Sequence, residues 1–132
     1  MSLPDVILDL VTAAVPDVPV HDGHVPTFTD RYVVLWADPG TVSAQDVAHT
    51  SDLVQYRFRL TYVTGGAQAG RRSVAWLAGH CRAALIDVMP TVPGWVFGPI
   101  ELESTAPIQV DPDSETTVLY GVDSFVVLGA RA

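Results

Sequence analysis

Two histidines and an aspartate fall within four residues in "HDGH", positions 21 to 24, and side chains of these types bind divalent metal. His21 and His24 could each offer an imidazole nitrogen and Asp22 a carboxylate oxygen. A tetrahedral site would still need a further ligand from elsewhere, and histidine pairs that hold metal usually sit on a rigid helix or hairpin. Gly23 marks a turn instead, which brings polar residues to water without any ligand. "DPDSE", 111 to 115, alternates acids as a calcium loop does. It lacks the glycine and the distant bidentate glutamate of that loop, and a hairpin turn accounts for it. "GHCR" sets His80 beside Cys81, but adjacent helical residues point about 100° apart and share a proton poorly. Cys81 also falls at apolar helical spacing, as a small buried hydrophobe would. "YVTGGAQAG", 62 to 70, is rich in glycine before a helix, yet it has neither the Lys-Ser/Thr of a P-loop nor dinucleotide-binding spacing. No constellation points to catalysis, so the sequence predicts a non-enzyme without cofactor or metal.

The remaining chemistry is in "YRFRLTYVT", 56 to 64. As a strand it has two faces: Tyr56, Phe58, Leu60 and Tyr62 on one, and Arg57, Arg59, Thr61 and Val63 on the other. Positive charge is scarce in this chain, and it clusters in two pairs, Arg57/Arg59 and Arg71/Arg72. The planar guanidinium fork suits bidentate bonding to carboxylates and is favoured at interfaces. An acidic protein that self-associates needs such a place for its carboxylates. The four arginines are therefore candidate contacts with another subunit, against the simpler reading of a solvated face.

The 132 residues fit one domain. Hydrophobic residues make up 48% and mean hydropathy is positive, which argues for a packed core over a disordered chain. Fifteen acids against seven arginines, with no lysine, give a formal charge of −8. That balance disfavours a grip on nucleic acid, whose affinity comes from neutralised phosphate. The all-arginine usage reads mainly as the codon bias of a GC-rich genome. A lone cysteine excludes a disulfide framework. No apolar run has the length of a membrane helix, and the N-terminal stretch has no basic region of a secretory signal. A soluble cytoplasmic product is expected.

The elements that must position these residues follow from periodicity. Leu3, Val6, Ile7, Leu10, Val11 and Ala14 form a helical stripe, with Ser2 to cap it and Pro4 in its first turn. "VPVHDG" reads as a brief edge strand and turn. "RYVVLWAD", 31 to 38, reads as a strand covered on both faces. The polar stretch 39 to 52 is long for a connection. A second helix is expected over roughly 67 to 89, with Val74, Leu77, Ala78, Cys81, Leu85 and Val88 as its apolar stripe. Extended structure returns from "PTVPGWVF" onward, and 116 to 129 reads as a long last strand. The expectation is an α+β fold: a mostly antiparallel sheet of about four or five strands with two helices packed on one face.

The succession of amphipathic helix, "YVVLW" strand, loop, "TYVTGG" strand, "RRSVAWLAGHCRAAL" helix and late "YGVDSFVVL" strand resembles the tail terminator, or tail completion, proteins of long-tailed bacteriophages. The resemblance spans most of the chain and rests on element order and loose patterns. It implies a single terminator-like domain over 1–132 and a structural virion protein, assembled in the host cytoplasm. Such a protein forms a homo-hexameric ring that ends the tail tube, stops its polymerisation and offers the head-joining surface. The implied partners are the tail tube protein and a head–tail connector or neck protein, with DNA passing the lumen without specific binding and no membrane contact. Arg57, Arg59, Arg71 and Arg72 would then lie at subunit or tube contacts. The 39–52 stretch, with Thr41, Ser43, Gln45, Asp46 and His49, would be a mobile loop that orders on the tube. Three alternatives stand beside this one. They are a neighbouring neck, head-completion or minor tail protein, a small α+β ligand-binding module or enzyme using His21, Asp22 and His24, and a dimeric domain whose arginine face is wet.

Overall fold

The computed structural model describes residues 1–25, 30–42, 53–111 and 117–132. The first helix, α1, spans Leu3–Ala14 and begins with a capping box. The Ser2 hydroxyl accepts from the Asp5 amide at 3.3 Å, and the Asp5 carboxylate accepts from the Ser2 amide at 3.0 Å. Two otherwise orphaned donors are satisfied in this way. Leu3, Ile7 and Val11 form the buried stripe, and Pro16 follows the helix end.

Among the described residues seven strands form one sheet: β1 Val20–Asp22, β2 Arg31–Ala37, β3 Thr41–Val42, β4 Val54–Gly65, β5 Trp95–Phe97, β6 Glu101–Val110 and β7 Val118–Arg131. Their order is β1-β2-β4-β7-β5, with β3 on β4 and β6 on β7. Every pair is antiparallel except β1 with β2. The strand count exceeds the expectation because the 95–110 stretch divides at Gly98 and Pro99 and because Thr41–Val42 adds a strand. Two- and three-residue strands are too short to show a period of two in sequence.

The second helix, α2, spans Arg71–Leu85 and follows a single 3-10 turn at Gly66–Gln68. It is shorter at both ends than expected. Gly70 precedes it in extended backbone. At the other end Ile86 turns extended and Asp87 takes φ +69°, a left-handed conformation that stops the helix.

Both helices cover one face of the sheet. Ile7, Val11, Val74, Leu77, Cys81 and Leu85 pack in one core with Val33, Leu35, Phe58, Leu60, Tyr62, Leu119, Phe125 and Val127. Phe58 and Phe125 are directly paired across β4 and β7, and their rings stack at 5.1 Å. Such a pair adds roughly 0.5–1.5 kcal/mol to the area it buries. Gly121 lies on the same inward register of β7. A Cβ there would stand 3.0 Å from Val74, so glycine allows α2 its close approach to the sheet.

Candidate functional site

The alternation read in "YRFRLTYVT" is present: Phe58, Leu60 and Tyr62 are buried, while Arg57 and Arg59 are exposed on the opposite face. On that face Arg57 lies opposite Val126, and Arg59 lies between Trp36 of β2 and Ser124 of β7. The two arginines differ. Arg57 Nε donates to both carboxylate oxygens of Glu103, each at 3.1 Å, reaching across β7 to a register shift in β6. The hydrogen bond and the charge of Glu103 raise the Arg57 pKa. Both side chains remain wet, at 46% and 37% exposure, so the pair contributes little to stability. Arg59 makes no ion pair or hydrogen bond among the described residues. Trp36, 39% exposed, donates from Nε1 to Thr61 Oγ1 at 3.2 Å along this face. Beneath, Val34 and Val63 are buried.

Arg71 and Arg72 sit elsewhere, in the first turn of α2, which contains no acidic residue. Positive charge there opposes the helix dipole, so local helix stability does not explain it. Trp76 and His80 continue from Arg72 at helical spacing of four, on the exposed side. Their rings are 4.0 Å apart, and Arg31 from the start of β2 lies over the indole at 5.3 Å. The two arginine pairs are thus parts of two surfaces, the open sheet face and the outer side of α2.

The most constrained polar group belongs to none of the sequence motifs with candidate chemistry. Asp123 occupies an inward position of β7 and is 1% exposed. Arg82 of α2 meets it with Nε and Nη2, and the Tyr62 hydroxyl donates to it at 2.7 Å. Burial is the strongest single influence and pushes its pKa up. Hydrogen bonds from Arg82, with the Thr105 and Tyr62 hydroxyls and the guanidinium charge, outweigh burial and hold the carboxyl below its ordinary value. The signal available was an aspartate in the apolar register of "LYGVDSFVV", which requires a partner.

Cys81 is buried in the core, and burial, with Asp123 nearby, pushes its thiol up to about 12. His80 donates from Nδ1 to the Trp76 carbonyl, 2.9 Å away, and is exposed. The structure therefore separates the two residues of "GHCR". In "HDGH", His21 lies against Tyr32 at 5.9 Å, with its Nε2 buried and without a partner, while Asp22 and His24 are exposed. Among the described residues no three His, Cys, Asp or Glu side chains group as metal ligands would. The pocket lined by Leu3, Ile7, Leu35, Tyr56 and Phe58 has a volume of about 10 Å³, the space of one water. A groove of about 380 Å³ between α1 and residues 88–91 is open to solvent. Among the described residues no helix is long and apolar enough to cross a membrane.

Of the expected tube-contacting loop, Thr41 lies in β3, paired with Gln55 of β4. Ser43, Gln45, Asp46 and His49 lie outside the described residues.

No protein-family model and no curated protein matches the chain. Its fold is similar to solved structures. A chain in the virion of a native gene transfer agent particle aligns over 99% of this chain and 96% of its own length, with TM-score 0.66 and 15% identity. A second structure, of a protein whose name states no function, aligns over 93% and 88% with TM-score 0.61 and 17% identity. At these identities the likeness establishes a shared fold: α+β, with two helices on one face of a mostly antiparallel sheet.

Proposed function

We propose that this chain is a structural virion protein of the tail terminator type, a subunit of a hexameric ring that ends a phage tail tube and offers the surface for head joining. The observation that carries this reading is the fold likeness along nearly the whole chain to a component of a gene transfer agent virion. The element order that resembles tail terminators supports it. So does the exposed chemistry, which suits contact with protein surfaces: an open sheet face bearing Trp36 and Arg59, and a separate arginine–aromatic face on α2. In this reading Arg57, Arg59, Arg71 and Arg72 line subunit or tube contacts, and the segment from Thr41 through His49 meets the tube. A ring of six subunits, each with formal charge −8, repels DNA wherever its acids face the lumen. Ejected DNA then passes without adhering.

The test is negative-stain imaging of the purified protein with assembled tail tubes of its phage. Six-fold rings at tube ends, and tubes that no longer elongate when more tube protein is added, are the expected result. Bare tube ends that continue to grow would overturn the reading.

A further inference from the structure

The two helices segregate charge completely. α1 contains Asp5 and Asp9 and no basic residue; α2 contains Arg71, Arg72 and Arg82 and no acidic one. Arg82 is engaged within the chain by Asp123. Arg71 and Arg72 are exposed, and neither forms an ion pair among the described residues. Asp9 is exposed as well, opposite the buried Ile7–Val11 stripe. Although α1 and α2 pack against each other through their apolar sides, their complementary charges do not meet within one chain.

Neither arrangement is fully accounted for by its own helix, although Asp5 serves the capping box of α1. Asp5 and Asp9 stand one turn apart with like charge, and Arg71 and Arg72 stand at the positive end of a helix. Beside the arginines Trp76 is 44% exposed, with Arg31 over its ring and His80 stacked on it. Tryptophan and arginine are the side chains that anchor protein interfaces.

From this complementarity we infer that the Arg71/Arg72/Trp76 face of α2 docks on the acidic face of α1 in a second copy of this chain. The inference rests on the self-assembly reading above and specifies which surfaces meet. The two faces are different patches. α1 packs beside β1 at one edge of the sheet, whereas α2 lies over β4, β7 and β6. Repeated head to tail, a contact between different patches is heterologous, and it closes into a ring where the rotation per copy closes. Each copy then presents one face and receives the other.

Charge exchange tests the pairing. One variant carries Arg71→Glu with Arg72→Glu; the other carries Asp9→Lys with Ala13→Lys, both exposed positions on α1. Assembly is followed by light scattering against concentration at low salt, with circular dichroism to verify the fold. Each variant alone is expected to need at least about tenfold more protein to assemble, since contacts become repulsive. An equimolar mixture, and the chain carrying all four changes, are expected to regain wild-type assembly. Folded variants that assemble like wild type, or singly impaired variants that the mixture does not rescue, would overturn the inference. Binding of a short DNA duplex that requires Arg71 and Arg72, with assembly unchanged by the substitutions, would overturn it in favour of a phosphate-binding face. A wild-type mass that stops at a dimer and obeys the charge exchange would uphold the pairing of the two faces in a reciprocal two-fold form and remove the hexameric ring. Rings on tubes that ignore it would do the reverse.

Discussion

The Arg82 guanidinium meets the Asp123 carboxylate in two parallel hydrogen bonds of 2.7 Å, Nε to Oδ2 and Nη2 to Oδ1. This fork joins the outer helix α2 to the inward face of the longest strand, and Tyr62 from β4 completes it on Oδ2. Three elements therefore converge on a single buried carboxylate. Its geometry is a positioning device for α2, whose outer side carries Arg71, Arg72 and Trp76.

Removing Arg82 leaves Asp123 buried without its counter-charge. Arg82→Met is expected to cost about 3 kcal/mol, measured as a lowered denaturant midpoint with unchanged slope. Tyr62→Phe removes one bond to a charged group and is expected to cost roughly 1.5–3 kcal/mol. The double change Arg82→Met with Asp123→Leu should recover much of the loss, because an apolar pair needs no compensation. A loss below about 0.5 kcal/mol for Arg82→Met, the range of an ordinary surface change, would show that the fork is not a tether.

The same carboxylate links stability to acid. Its folded pKa is depressed, so its contribution is fully present above the unfolded carboxylate value of about 4 and is lost as pH falls through the lowered folded value. Asp5, lowered by its bonds to Ser2, titrates in the same direction. Unfolding free energy should therefore fall below about pH 4, and less steeply in Asp123→Asn than in wild type. Equal slopes in urea titrations at several acidic pH values would refute the assignment to Asp123.

Cys81 should be inert in the native protein. Its thiol is buried and titrates at about 12, so thiolate is scarce at neutral pH. A chromogenic disulfide reagent at pH 8 should react only at the rate of global unfolding. Reaction within seconds in the absence of denaturant would contradict the packing of α2.

Arg57 and Arg59 should separate in assembly assays, because Glu103 already engages Arg57. Arg59→Glu is expected to weaken assembly or tube binding more than Arg57→Glu does, by several-fold in the concentration for half-maximal assembly. Retention of both activities in Arg57→Glu with Arg59→Glu would remove the open sheet face from the contacts.

Sequence by itself determined what repeats along the chain. Helix α1, its Ser2 and Pro4 start, the buried stripe of α2 and the two faces of β4 are local periodicities, and local sterics and burial suffice to specify them. The α+β layout followed from the order of those elements. Helix ends were less legible: α2 begins four residues later than its glycine-rich approach suggested, since the 3-10 turn at 66–68 uses the same residue types. Tertiary structure alone decided what crosses between elements. That Glu103 reaches Arg57 over β7, that Arg82 finds Asp123 at 41 positions' distance, and that Arg71/Arg72 lie on a different surface from Arg57/Arg59 all depend on strand order and register. Partners so distant in sequence leave no periodic trace, because the pairing energy resides in three-dimensional proximity rather than in spacing along the chain.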